Sequence, residues 1–111
     1  TPVLVMPYGG VVMGRPGFLH GGAIGGLLEM AGIVAVREAL GDADVTIEPV
    51  TLTVDYMRGG REKTTRARAT IRRLGTRIAN VDAVAWQDGP EHAIAAARLT
   101  LLLRRERAAQ D

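Results

Sequence analysis

The sequence predicts an α+β domain in which an antiparallel sheet of about five strands wraps around one long central helix. Three observations lead there. A single stretch of helical periodicity runs from about Gly21 to Leu40. Segments of two-residue alternation follow it with no second helix between them. The connections among those segments are short and rich in Gly, Asp and Pro, as antiparallel neighbours require. All 111 residues fit one domain, 1–111, with a single core.

Taken in order, Val3–Met6 and Val11–Met13 are short apolar runs broken by Pro7 and Gly9-Gly10, predicting a first strand or a bent pair. Pro16-Gly17 predicts a turn. In the helix, Leu27, Leu28, Ala31, Val34, Ala35 and Leu40 recur near helical spacing, and Gly41-Asp42 ends the run. Its first half carries Gly21, Gly22, Gly25 and Gly26. Each costs roughly 1 kcal/mol relative to alanine, which predicts close approach to a ligand, a sheet or a partner helix.

Beyond the helix, Val50, Leu52, Val54 and Tyr56 alternate with Thr51, Thr53 and Asp55, and Gly59-Gly60 turns the chain. Ala67, Ala69 and Ile71 then alternate with Arg66, Arg68, Thr70 and Arg72, up to the turn Leu74-Gly75-Thr76. A third strand covers Ile78–Gln87 and closes at Asp88-Gly89-Pro90. The last runs from about Ala93 to Leu103 with Ala97, Leu99, Leu101 and Leu103 on one face. Arg104–Asp111 is expected to be a polar, frayed tail.

Composition removes several chemistries. Without cysteine or serine there is no disulfide, no thiolate metal site, no serine or cysteine nucleophile and no nucleophile elbow. Hydrolysis must use a carboxylate, a threonine, the sole lysine Lys63 or an activated water. His20 and His92 are too few for a three-histidine metal site. No stretch approaches the ~20 apolar residues of a membrane span and no signal peptide precedes the first strand, so the expected location is cytoplasmic. Net charge is +2, but Arg58, Arg61, Lys63, Arg66, Arg68, Arg72, Arg73 and Arg77 face only Glu62 between positions 58 and 77. Such a cluster suits an anionic ligand or nucleic acid, or is the solvated face of an exposed strand. No aromatic residue alternates with these arginines, which argues against a base-stacking platform.

The densest signal is His20-Gly21-Gly22-Ala23-Ile24-Gly25-Gly26-Leu27-Leu28-Glu29. A helix start offers unpaired N–H groups and a partial positive charge, a cradle for an oxyanion. A carboxylate within an apolar helical stretch is costly unless it is paired or used for chemistry. Together they form an electrophile holder beside a general base or nucleophile. The competing reading of Glu29 is a structural carboxylate paired with an arginine of the sheet or of a partner.

These residues resemble the hotdog-fold acyl-CoA thioesterases of the phenylacetyl-CoA (PaaI-like) and 4-hydroxybenzoyl-CoA type, marked by His-Gly-Gly opening the central helix and an acid nine positions after the histidine. His20 to Glu29 has that spacing. Leu52-Thr53-Val54-Asp55-Tyr56-Met57-Arg58 is similar to the family's strand after the helix, and Arg73-Leu74-Gly75-Thr76-Arg77 to its basic glycine-containing turn. The resemblance implies a homo-oligomer, dimer or tetramer, with active sites at the dimer interface. The helix start would come from one subunit and the acid from the other. It implies an acyl-CoA or aroyl-CoA substrate, with coenzyme A as part of the substrate and no separate cofactor. Gly21 would polarise the thioester carbonyl, with His20 and Gly22 shaping the turn. Glu29 would either attack the acyl carbon or activate a water. Arg58, Arg73 and Arg77 would hold the phosphates of coenzyme A. Met13, Phe18 and Leu19 would line the acyl pocket or pack against the helix. No nucleic-acid or membrane partner is implied. Three departures stand out: Gly14 where many relatives carry Asn or Gln, Ile33 where Ser or Thr is frequent, and Pro49 near a serine found in some. They open the alternative of a non-catalytic acyl-CoA-binding or regulatory module.

Overall fold

In the computed structural model the chain is described over residues 2–7, 13–15, 18–19, 21–41, 43–61 and 63–105, the backbone alone being described for 13–15, 18–19 and 21. The elements are β1 (Val3–Met6), β2 (Met13–Arg15), β3 (Phe18–Leu19), α1 (Gly21–Leu40), β4 (Val45–Tyr56), β5 (Thr65–Leu74), β6 (Ile78–Trp86) and β7 (Ala93–Arg105). A five-stranded sheet in the order β1-β5-β6-β7-β4 packs against α1, every neighbouring pair antiparallel, while β2 and β3 form a separate small hairpin. This is the predicted α+β architecture of the hotdog fold, with the helix on one face of the sheet. The predicted turn at Pro16-Gly17 lies outside the described residues.

The inward face of the sheet is built of small side chains. Ala67 and Ala69 on β5, Ala79, Ala83 and Ala85 on β6, and Ala95 and Ala97 on β7 are all buried. Short side chains let the helix axis settle close to the strands. A Cβ added at Gly32 would stand 3.1 Å from Leu99 Cδ2, so the helix backbone already rests on that leucine. Leu28 and Val36 on α1 meet Leu99, Leu101 and Val81 of the sheet in the centre, all at most 1% exposed. Fully burying each such side chain contributes about 1.5–3 kcal/mol.

Helix α1 ends where Gly41 was expected to end it. Gly41 takes φ +62° and donates its N–H to Arg37 O at 3.1 Å, an αL cap. Arg37 reaches across this corner to the carbonyls of Ala43 and Val45, tying the helix end to the start of β4.

Two boundaries differ from the sequence expectation. Strand β4 begins at Val45, ahead of the alternating stretch, and runs through Pro49. An edge strand tolerates a residue lacking an N–H, and the register shifts between Pro49 and Thr51 to absorb it. Strand β7 continues through Arg104 and Arg105, which pair with Thr46 and Val45. An ion pair between Arg104 and Glu48, and a hydrogen bond from Arg105 Nε to Thr76 O at 3.3 Å, hold these two residues in the sheet. Among the described residues no helix is long and apolar enough to cross a membrane.

Candidate active site

The N-terminal half of α1 turns Ile24, Leu27 and Leu28 to the sheet and leaves Gly22, Gly26 and Met30 exposed. Its first turn contains no acidic side chain. The partial positive charge of the helix start is therefore not offset by a carboxylate of its own. Glu29 lies half-buried on this half, two turns in from Gly21. Among the described residues it takes part in no ion pair; the carboxylates that do are Asp88, Asp82 and Glu48. Among the described residues, the sheet arginines thus leave Glu29 without an ion-pair partner. His20, expected to shape the turn at the helix start, lies outside the described residues.

Gly21, Gly25 and Glu29 follow one another at four-residue spacing and share one side of the helix. Tyr56, the last residue of β4, reaches over this side. A Cβ built on Gly25 would stand 3.3 Å from the Tyr56 hydroxyl oxygen. The N–H groups of Met57 and Arg58 both donate to Ile94 O, at 2.8 and 3.1 Å, pinning the chain just past Tyr56. No role was assigned to Tyr56 in the sequence. The available signal was its place on the inward side of the alternating segment with Leu52 and Val54, at the strand end nearest the glycines.

The three arginines expected to hold phosphates separate into two groups. Arg58 follows β4 at the helix-start end, where β6 and β7 pair as Trp86 with Ala93. Arg73 and Arg77 flank the β5–β6 turn at the opposite end, where Ile78 pairs with Leu102. The nine residues of β6 put about 26 Å between these ends. A register shift between Ile71 and Arg73 breaks the two-residue alternation and brings Arg72 and Arg73 to the same outer face. There Arg73, Asn80 and Thr100 line two adjoining concavities of about 410 and 440 Å³, the first also bordered by Arg77 and the second by Arg72 and Arg98. Arg66 and Arg68 are solvated, with Arg68 stacked 5.6 Å from the Trp86 ring centroid. Gln87 organises the loop after Arg58 by accepting from Arg61 N–H at 3.0 Å and donating to Arg61 O at 3.1 Å.

Phe18 and Leu19 form the short strand that ends just before α1, and Met13 opens the strand it pairs with. Their side chains are outside the description. His92 is exposed on the turn after Gly89. Among the described residues no group of three or more His, Cys, Asp or Glu side chains could hold a metal ion.

Comparison with known proteins agrees with this fold. The family model described as the thioesterase superfamily matches residues 16–94. A thioesterase of Haemophilus influenzae superposes with a TM-score of 0.86 at 25% identity, over 98% of this chain and 75% of that one. A Bacillus halodurans protein solved with CoA gives 0.84 at 24% identity, over 95% and 68%. A phenylacetic acid degradation-related protein of Ralstonia eutropha gives 0.81 at 23%, over 90% and 74%. No curated protein matches the chain.

Proposed function

The chain belongs to the thioesterase superfamily and is a thioester hydrolase; from that premise we propose that it hydrolyses an acyl-CoA, aromatic acyl groups included, with Glu29 as the acting carboxylate. The observation that carries this reading is Glu29 itself, half-buried on a glycine-opened helix and without an ion pair among the described residues. The CoA held by the Bacillus halodurans relative supports the leaving group.

In the proposed mechanism Gly21 donates its backbone N–H to the thioester oxygen, and the helix dipole favours the negative charge that develops there. By the family resemblance, His20 and Gly22 would shape that turn. Glu29 either attacks the acyl carbon, giving an anhydride that water then cleaves, or takes a proton from an attacking water. By both routes the C–S bond breaks, a C–O bond forms with oxygen supplied by water, and a proton ends on the departing thiolate. By the family resemblance, Met13, Phe18 and Leu19 would line the acyl pocket or pack against the helix.

Helix geometry favours a site shared between two protomers. Gly21 and Glu29 are eight residues apart, about 12 Å along the axis, and first-turn N–H groups point away from the helix body. A carbonyl bound at Gly21 is therefore beyond the carboxylate of its own helix. It would meet Glu29 of the partner subunit in a homodimer or in a tetramer of such dimers. Strand β4 offers the means, since it is an edge strand of twelve residues with Val50 57% exposed. Pairing two β4 edges about a two-fold axis would set the helices side by side and antiparallel. Of the three arginines expected to bind phosphates, Arg58 would meet those of coenzyme A at the helix start of its own protomer. Arg73 and Arg77 would act on a substrate reaching them across an interface.

Thiol release from short-chain, long-chain and aromatic acyl-CoAs tests the reading, wild type beside Glu29→Ala. The expected result is turnover by wild type and a loss of about 100-fold or more in the variant, with unchanged thermal unfolding. A folded Glu29→Ala protein of near-wild-type rate overturns the role of Glu29. Coenzyme A binding without thiol release from any substrate selects the acyl-CoA-binding alternative.

A further inference from the structure

We propose that Tyr56 is a positioning residue for the oxygen that Glu29 presents to the thioester, whether a carboxylate oxygen or the oxygen of a water; this rests on the reading of Glu29 given above. Helical side chains lean toward the N-terminus, so Glu29, one turn beyond Gly25, directs its side chain toward the side of the helix that Gly25 shares. The Tyr56 hydroxyl lies on that side, 3.3 Å from where a Gly25 Cβ would stand. A phenol can donate one hydrogen bond and accept others, so at this place it can orient a carboxylate or a water held by one.

Three features favour orientation over space filling. The ring is 54% exposed, so burial of the aromatic face is not what the position secures. Gly25 is buried in the helix interior, where glycine costs stability relative to alanine, and its missing side chain is what seats the hydroxyl. The backbone beyond Tyr56 is fixed by the paired donation of Met57 and Arg58 to Ile94 O, which holds the ring's point of attachment in place.

The test is a double-mutant cycle read in steady-state kinetics on the best acyl-CoA substrate, with folding checked by thermal unfolding. Tyr56→Phe keeps the ring and removes the hydroxyl. It is expected to lower kcat about 10-fold with KM changed less than 2-fold, as loss of an interaction made in the transition state does. Gly25→Ala forces the hydroxyl aside by a few tenths of an ångström. It is expected to lower kcat in the wild-type background and to have no further effect in Tyr56→Phe, a non-additivity that marks a shared action. Full kcat in Tyr56→Phe overturns the proposal, as does an equal Gly25→Ala effect in both backgrounds. Glu29→Ala run in parallel separates the two ideas. If that variant is inactive while Tyr56→Phe is fully active, the role of Tyr56 alone fails. If Glu29→Ala matches wild type, the reading of Glu29 fails and the proposal with it.

Discussion

The two halves of α1 are made of different residues and held by different means. From Ala31 to Leu40 the helix is Ala, Val, Ile and Leu with Arg37, Glu38 and one glycine, and its end is capped by Gly41 and tied to β4 by Arg37. From Gly21 to Met30 four glycines replace good helix formers, and the segment stays helical because Ile24, Leu27 and Leu28 are buried against the sheet. A cap adds to tertiary packing in the first of these segments, where Ala31, Ala35 and Val36 are buried, and in the second, packing alone offsets the cost of the glycines. On the proposed function, the difference teaches where the site sits. The half that gives up propensity is the half that carries the glycine turn, the Tyr56 seat and Glu29.

Leu28 puts the contrast to its strongest test. It is fully buried in the glycine-rich half, so Leu28→Ala should cost about 2–5 kcal/mol in chemical denaturation. A cost below ~1 kcal/mol would mean that something other than packing holds this half. At the other end, Gly41→Ala places a Cβ on a residue at φ +62°. It should lower stability by about 1–2 kcal/mol, and an unchanged midpoint would show that the cap is dispensable. The smallest effect has the opposite sign. A Cβ at Gly26 meets nothing within 4 Å among the described residues. Gly26→Ala should therefore raise stability by up to about 1 kcal/mol. If the exposed glycine face meets substrate or the partner's helix, the same substitution should lower turnover while the unfolding midpoint rises. A rise in both would separate Gly26 from the site.

Much of the fold was legible because periodicity and punctuation agreed. Helix α1 spans the predicted Gly21 to Leu40, and the alternating alanines of β5 face inward as their spacing required. Strand β4 was longer than predicted because Glu48 and Pro49 argue locally against a strand, while edge position and a bulge accommodate them. Arg104 and Arg105 were assigned to a tail on charge alone, and only the cross-strand Glu48 and the Thr76 carbonyl show why they stay in the sheet. Within the site, the spacing of Gly21 and Glu29 could be read from one helix. The separation of Arg58 from Arg73 and Arg77 could not, since it depends on which end of the sheet each hairpin closes. Tyr56 went unassigned because its seat is the absence of a side chain thirty-one positions earlier, at Gly25.

The alanine layer beneath α1 ties the inheritance of activity to the core. Since one rigid helix bears both Gly21 and Glu29, any methyl group gained at Ala69, Ala83 or Ala97 lifts both together. A displacement near 1 Å can cost about 100-fold in rate, whereas one extra methylene costs about 1–3 kcal/mol of stability. Variants drifting at these positions would thus remain folded after they had ceased to turn over substrate. Selection for catalysis, acting more strictly than selection for folding, would keep this buried layer small.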